Sequence, residues 1–286
     1  MGLFDFFAEI AEDVSDGVDR SKEVKRFIAE ARNYIREGEN IYERAYHDVT
    51  DYAFETEELL QEHMKFKKRI SKELGDGVGC TLESFKQFNV DAKVMSPPVI
   101  KTTEKDINIF KSSLPHHNVT SEYDVIGDVT SVFGKYVSTK EYYRAEWQRD
   151  EALQFKQSMI TEKKKLEKYK EQMREVRSFI ISERSELSSL MNKVKKMTSE
   201  LQTGMKKNSF TQEEADYLKG IHKITECIVT LLSTQFLSDS FKITQKYKKV
   251  YDSVQDINQS IPSSPSIKDT STLSALNRLL NGMIVH

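Results

Sequence analysis

Between Leu166 and Leu201 apolar side chains recur at alternating steps of three and four residues: Leu166, Tyr169, Met173, Val176, Ile180, Leu187, Leu190, Val194, Met197 and Leu201, with Glu183 the only polar interruption. A spacing averaging about 3.5 residues keeps one stripe of an underwound helix facing a partner. This stretch is therefore predicted to be one member of a coiled coil. A similar series runs through Val24, Ile28, Ala31, Ile35, Gly38, Tyr42, Ala45, Val49, Tyr52, Thr56, Leu59, His63, Phe66 and Ile70. Phe27, Tyr34, Ile41, Tyr46, Ala53 and Leu60 widen that stripe enough to serve two neighbours. A third series begins with Tyr217, Ile221, Ile224, Ile228 and Leu231 and resumes one residue out of phase with Ile243, Tyr247, Val250, Val254 and Ile257. A seam that slips phase must rotate away from its partner, which predicts a bend or a change of neighbour between Thr234 and Ser240.

Punctuation sets the limits of these helices. Gly75, Gly77 and Gly79 are predicted to end the first, since glycine lowers helix propensity by about 1 kcal/mol each. Ser138 with Glu141, and Thr211 with Glu214, make capping boxes at the starts of the second and third. The short turn through Lys206, Lys207, Asn208 and Ser209 predicts an antiparallel hairpin of those two. The expected fold is all-α: an elongated antiparallel coiled-coil bundle of three long helices, a rod, spanning 19–75, 138–204 and 209–259. An acidic amphipathic helix occupies 1–18, a Ser/Pro linker 260–272 and an amphipathic segment 273–286. Residues 76–137, with Pro97, Pro98, Pro115, Gly127 and Gly134, are expected to form short helices or irregular structure capping one end; Tyr123, Ile126, Val129, Val132, Phe133 and Tyr136 there read as a weak amphipathic helix.

Composition agrees with long, solvated helices: 38% of residues are hydrophobic and 31% charged, with only 11 Gly and 5 Pro. A net charge of −2 gives no global field to collect nucleic acid, so no nucleic-acid partner is expected. The lysine clusters at 163–165, 193–196, 206–207 and 246–249 alternate with acids and read as solvated faces. Cys80 and Cys227 are too few for a disulfide framework and point to a reducing, cytoplasmic setting. The most apolar stretch, Ile221 to Leu237, is broken by His222, Lys223, Glu226 and Gln235, so no membrane span is predicted.

Catalytic and cofactor signatures do not assemble. The run from Gly75 to Cys80 has glycines but no lysine, so it reads as a helix stop and not a P-loop. None of the six histidines follows a glutamate at the spacing of a di-iron bundle. The adjacent His116 and His117 read as solvated, His63 as a partly buried seam histidine with a hydrogen-bond partner, and Cys227 as core filling. No enzyme activity, cofactor or metal is expected. The candidate docking residues are Leu3, Phe4, Phe6, Phe7 and Ile10 at one end and Leu276, Leu279, Leu280 and Met283 at the other. Each set makes an apolar face that needs a surface.

The function expected from this layout is a non-enzymatic scaffold that docks a protein partner, or a membrane edge as a peripheral protein, with homo-oligomers an open alternative. In layout, long helices with an inserted region between the first two, the chain is similar to the cytolysin A and haemolysin BL family. That resemblance implies a pore-forming alternative, although the stretch from Lys101 to Asn118 is too polar to enter lipid readily. A third expectation, by architectural analogy, is an accessory subunit of a membrane-remodelling machine such as a bacterial dynamin-like GTPase.

Overall fold

The structure, a computed structural model, describes residues 3–79, 81, 101–117, 137, 139–204 and 211–282, with the backbone alone described at 3–19, 101–103 and 139. Among these residues six α-helices follow one another: α1 (Leu3–Glu73), α2 (Lys101–Ser113), α3 (Thr139–Gly204), α4 (Gln212–Ser233), α5 (Gln245–Ser260) and α6 (Thr270–Leu280). The described residues contain no strand, only the isolated bridge between Leu237 and Ile243. The all-α class is as expected. The stretch 1–18 is not a separate helix from Leu3 onward, because α1 is continuous to Glu73. At Leu74–Gly79, where the glycines lie, α1 gives way to a π-helical turn.

The chain divides into two compact units, residues 1–52 with 115–171 and residues 53–114 with 172–286. In the first, α1 and α3 pair over a thin core. Val24, Phe27, Val137 and Ala145 are buried together with Ile28 and Tyr142 packed against them. The Phe27 ring meets Tyr142 edge-on at 5.6 Å and carries the Arg149 guanidinium 4.5 Å from its centroid. Gly38 permits a close approach: a Cβ there would lie 3.0 Å from the Phe155 ring and 3.2 Å from the Lys156 Cα. Polar clasps cross the seam from Lys156 to Glu37 (2.5 Å) and from Lys170 to Asp48 (2.6 Å).

The second unit is thicker. Ala53, Thr56, Leu60, His63, Lys67, Ile70 and Leu74 of α1 and its turn face Met173, Val176, Ile180, Glu183, Leu187, Leu190, Val194, Met197 and Leu201 of α3, all buried. Along the rim Arg177 reaches Glu55 (2.8 Å), Arg184 reaches Glu62 (3.3 Å) and Lys195 reaches Glu73 (2.8 Å). Partners rise together in number, with both arginine pairs 122 residues apart, so α1 and α3 run parallel here. The clasps of the first unit rise together as well. The expected antiparallel arrangement of the first two long helices is therefore corrected. A pattern of threes and fours reads alike in both directions, and the connection through residues 80–138 is no short loop that would force reversal.

The third predicted helix is two. Thr211 caps α4 with the full capping box to Glu214, and Tyr217 at its start donates to Glu200 of α3 at 3.0 Å. From there α4 returns antiparallel to α3, as the expected hairpin requires, until Phe236 packs on Phe179 with ring centroids 5.8 Å apart. The phase slip marks a reversal, not a bend. Phe241 turns the chain with φ 53°, Thr244 caps α5, and α5 runs parallel to α3, with Ser182 bonded to Tyr251 and Ser189 to Asn258, both 69 residues apart. The Ser/Pro stretch then leads into α6, which begins at an Asp269 cap and lies on α4 so closely that a Cβ on Gly220 would come 2.7 Å from Leu276.

Candidate functional site: a sealed charged cluster

The polar interruptions of the two seams meet. Stepping by three and four from Leu60 places His63 and Lys67 on the buried stripe of α1, and the same rule places Glu183 between Ile180 and Leu187 on α3. α5 contributes Tyr247. His63 Nε2 lies 3.3 Å from Glu183 Oε2, and Lys67 Nζ 3.5 Å from Glu183 Oε1. The Tyr247 hydroxyl donates to Glu183 Oε1 at 2.5 Å and accepts from Lys67 at 2.5 Å. Aromatic faces complete the shell, with the Lys67 ammonium 4.6 Å from the Tyr247 centroid and 5.5 Å from that of Phe236. Neither ring nitrogen of His63 has an aligned hydrogen bond, nor does Glu183 Oε2.

α2 adds a second carboxylate. Asp106 accepts from the backbone N–H of Leu237 at 2.8 Å, in the turn between α4 and α5. All five groups are sealed: Glu183 and Tyr247 are 0% exposed, Lys67 1%, His63 2% and Asp106 3%.

Environment separates their titrations. Burial pushes Glu183 upward, but the Lys67 charge, His63 and the Tyr247 hydroxyl outweigh it and hold the carboxyl at about 2. Burial pushes Asp106 up to about 6, against the Leu237 N–H and Lys67, which favour its ionised form. Burial also lowers His63, despite the attraction of Glu183, and raises Tyr247 well above its ordinary value. Such a cluster gives no substrate access to its acid and base groups. What it can do is specify pairing, since breaking a buried pair costs about 3–5 kcal/mol whereas an apolar replacement of all members is often neutral. His63 lies on the seam as expected but is buried fully, not partly, and lacks the expected hydrogen-bond partner; Lys67 and Asp106 escaped the sequence reading.

Other expected residues fall as follows. The side chains of Leu3, Phe4, Phe6, Phe7 and Ile10, and all of Met283, lie outside the described residues. So do Ser138, Cys80 and the stretches 82–100 and 118–136. Leu276 and Leu279 are 1% and 2% exposed, so as free docking residues they are corrected: the surface their helix needs is α4 of the same chain. Leu280 stays 37% exposed. His116 and His117 are both exposed, as expected, with His117 3.0 Å from Glu43 and edge-on to Tyr46 at 4.8 Å. Cys227 is half-buried, and burial pushes its thiol up.

Of the lysines read as solvated faces, Lys193 on α3 is corrected. Lys193 is 8% exposed and donates to the carbonyls of Asn258 (2.5 Å) and Ile261 (2.8 Å), closing the C-terminal end of α5 where a cation suits the helix dipole. Glu200 accepts from Tyr217, from the Ser266 hydroxyl (2.6 Å) and from the Ile267 N–H (2.9 Å), pinning the Ser/Pro stretch.

In the first unit a groove of about 720 Å³ between α1 and α3 mixes Arg44, Lys156, Lys163 and Lys170 with Glu37, Asp48 and Glu167. Its three lysines are already paired with acids, Lys163 with Glu167 at 3.5 Å. Among the described residues no group of His, Cys, Asp and Glu could hold a metal ion, and no helix is long and apolar enough to cross a membrane. Compared with protein-family models, curated proteins and solved structures, the chain matches none of them.

Proposed function

We propose that this chain is a non-enzymatic helical scaffold that docks a protein partner, with the second unit as its folded anchor. One observation carries the reading. The strongly perturbed ionisable groups of the second unit lie sealed inside its helices, whereas large apolar side chains stand open to solvent: Phe54 and Ile181 at 65% and 61%, and the aromatic pair Tyr143 and Trp147, one turn apart on α3 of the first unit, at 62% and 57%. Perturbed groups in an open cleft mark chemistry; the same groups walled in by aromatic rings mark helix pairing. Aromatic side chains are favoured anchors at protein interfaces, and the N-terminal residues Leu3, Phe4, Phe6, Phe7 and Ile10 form the second docking element of this proposal. Residence in the cytoplasm, and the membrane edge as an alternative docking surface, belong to the same proposal.

Trp147 is the single tryptophan, so its emission reports directly on the proposed surface. The test is affinity capture from the native host with the full chain, with a chain lacking residues 1–18 and with a Trp147→Ala variant, alongside flotation of the pure protein with phosphatidylcholine–phosphatidylglycerol vesicles. The scaffold reading expects a recovered partner that shifts Trp147 emission to the blue and is lost from one or both variants while helicity persists. Capture of the same proteins by all three chains, with no change in emission, would contradict it.

A further inference from the structure

The sealed cluster is out of charge balance. Counting Lys67 against Glu183 and Asp106, with His63 neutral, leaves one negative charge in excess inside the second unit. The excess falls on the carboxylate of α2, the short helix. α2 is 13 residues long, near the length below which an isolated helix is marginal in water. It buries Asp106, Ile109 and Phe110. Phe110 lies on Phe241 at 5.1 Å, Asp106 takes the Leu237 N–H, and Lys105 reaches Gln235 at 3.1 Å. Towards α1, Lys111 pairs with Glu57 at 2.9 Å and Glu104 with Lys68 at 3.9 Å, both partly in solvent.

We propose that α2 is a proton-coupled latch on the turn between α4 and α5, docking tightly when the buried cluster takes up one proton and loosening when that proton is lost. The groups facing Asp106 define the coupling. α1 presents Lys67, with His63 beyond it; α3 presents Glu183; α5 presents the Tyr247 hydroxyl; and the turn offers the Leu237 N–H, its own charges at Asp239 and Lys242 being exposed. Glu183 is held ionised by Lys67 and stays so, and His63 remains between α1 and α3 when α2 lifts. Asp106 is therefore the site where the proton enters. Docked, it binds a proton more tightly than it does free in water, so acid favours the docked state. A docked value of about 6 against an ordinary 3.8 makes docking roughly tenfold more favourable at pH 5 than at pH 8. Lifting α2 would take Phe110 off Phe241, which is 1% exposed in the docked state, so the latch is a switch for exposing apolar surface.

Hydrogen exchange read by mass spectrometry on the full chain tests this, with rates corrected for the intrinsic pH dependence of exchange. The reporter peptides cover 101–113 and 234–244, and α6 serves as the internal reference. The latch predicts that opening of both reporters rises about tenfold from pH 5 to pH 8 relative to α6. It also predicts that Asp106→Asn, which keeps an acceptor for the Leu237 N–H but cannot ionise, holds them protected at both values. A pH response that persists in Asp106→Asn, or its absence from the wild type, would overturn the proposal. A Lys105→Ala variant keeps the test valid if Asp106→Asn fails to fold: it should open α2 further at both pH values and preserve the tenfold ratio, and a lost ratio would count against the latch.

Discussion

The same two helices pair in both units by different means. In the first, α1 and α3 meet over an uncharged seam that mixes Phe27, Tyr42 and Leu166 with alanines and a glycine contact, and clasps such as Asp48 with Lys170 hold them, Asp48 being 64% exposed. In the second, similar rim pairs recur, but the seam itself carries a carboxylate, an ammonium and an imidazole at 0–2% exposure. Exposed pairs are worth about 0–1 kcal/mol and are screened by salt, so they bias a register without enforcing it. A sealed charge enforces it, because any slip leaves an unpaired ion in an apolar core. Heptads alone make helices adhere, and the polar interruptions decide which residues face each other.

The largest effect should come from unpairing the cluster. Glu183→Ala leaves Lys67 buried without its counter-ion and is expected to cost the second unit about 3–5 kcal/mol in chemical denaturation. Asp48→Ala in the first unit should cost no more than about 1 kcal/mol and lose even that in high salt. Equal losses would erase the contrast between the units. Next is Glu200→Ala, which frees the Tyr217 hydroxyl, Ser266 and the Ile267 N–H and should cost about 1–3 kcal/mol, with proteolysis between residues 261 and 269 as the readout.

A smaller effect sharpens the electrostatic account. Between pH 6 and 4 the folded chain gains a proton on Asp106, whose value is raised, and this stabilises it as pH falls. His63 works the other way: lowered in the fold, it stays neutral while the unfolded chain protonates, so stability is lost as pH falls below 6.5. The two therefore oppose each other there. Asp106→Asn should then weaken the chain on acidification, and His63→Gln should strengthen it, each by up to about 1.4 kcal/mol per pH unit. Glu183 adds stability present above pH 4.5 that disappears only as pH falls towards 2.

Much of the architecture was legible because it rests on local rules. The seam of α3 is buried nearly residue for residue, α3 begins and ends within one residue of its expected bounds, and the Thr211 capping box forms with both hydrogen bonds. What escaped depends on direction and on partners. The heptad pattern carries no sign, so parallel and antiparallel pairing of α1 and α3 look identical in it. On α1 the two candidate stripes differ by one residue; Ala53 and Leu60 won over Tyr52 and Leu59, and with them Lys67 entered the core. Opposite charges at seam positions of two helices, His63 and Lys67 against Glu183, were the readable clue to the cluster. Asp106 had no such clue, since its burial depends on a turn 131 residues away.

The central claim is that Lys67 and Glu183 act as one unit in setting the pairing of α1 with α3. A double-mutant cycle in the full chain, using Lys67→Leu, Glu183→Leu and both together, measures that coupling directly from denaturation midpoints. The account predicts that each single change is severe and that the double variant is more stable than either, with a coupling of at least about 2 kcal/mol. Additive losses, with the double variant the weakest of the three, would contradict it.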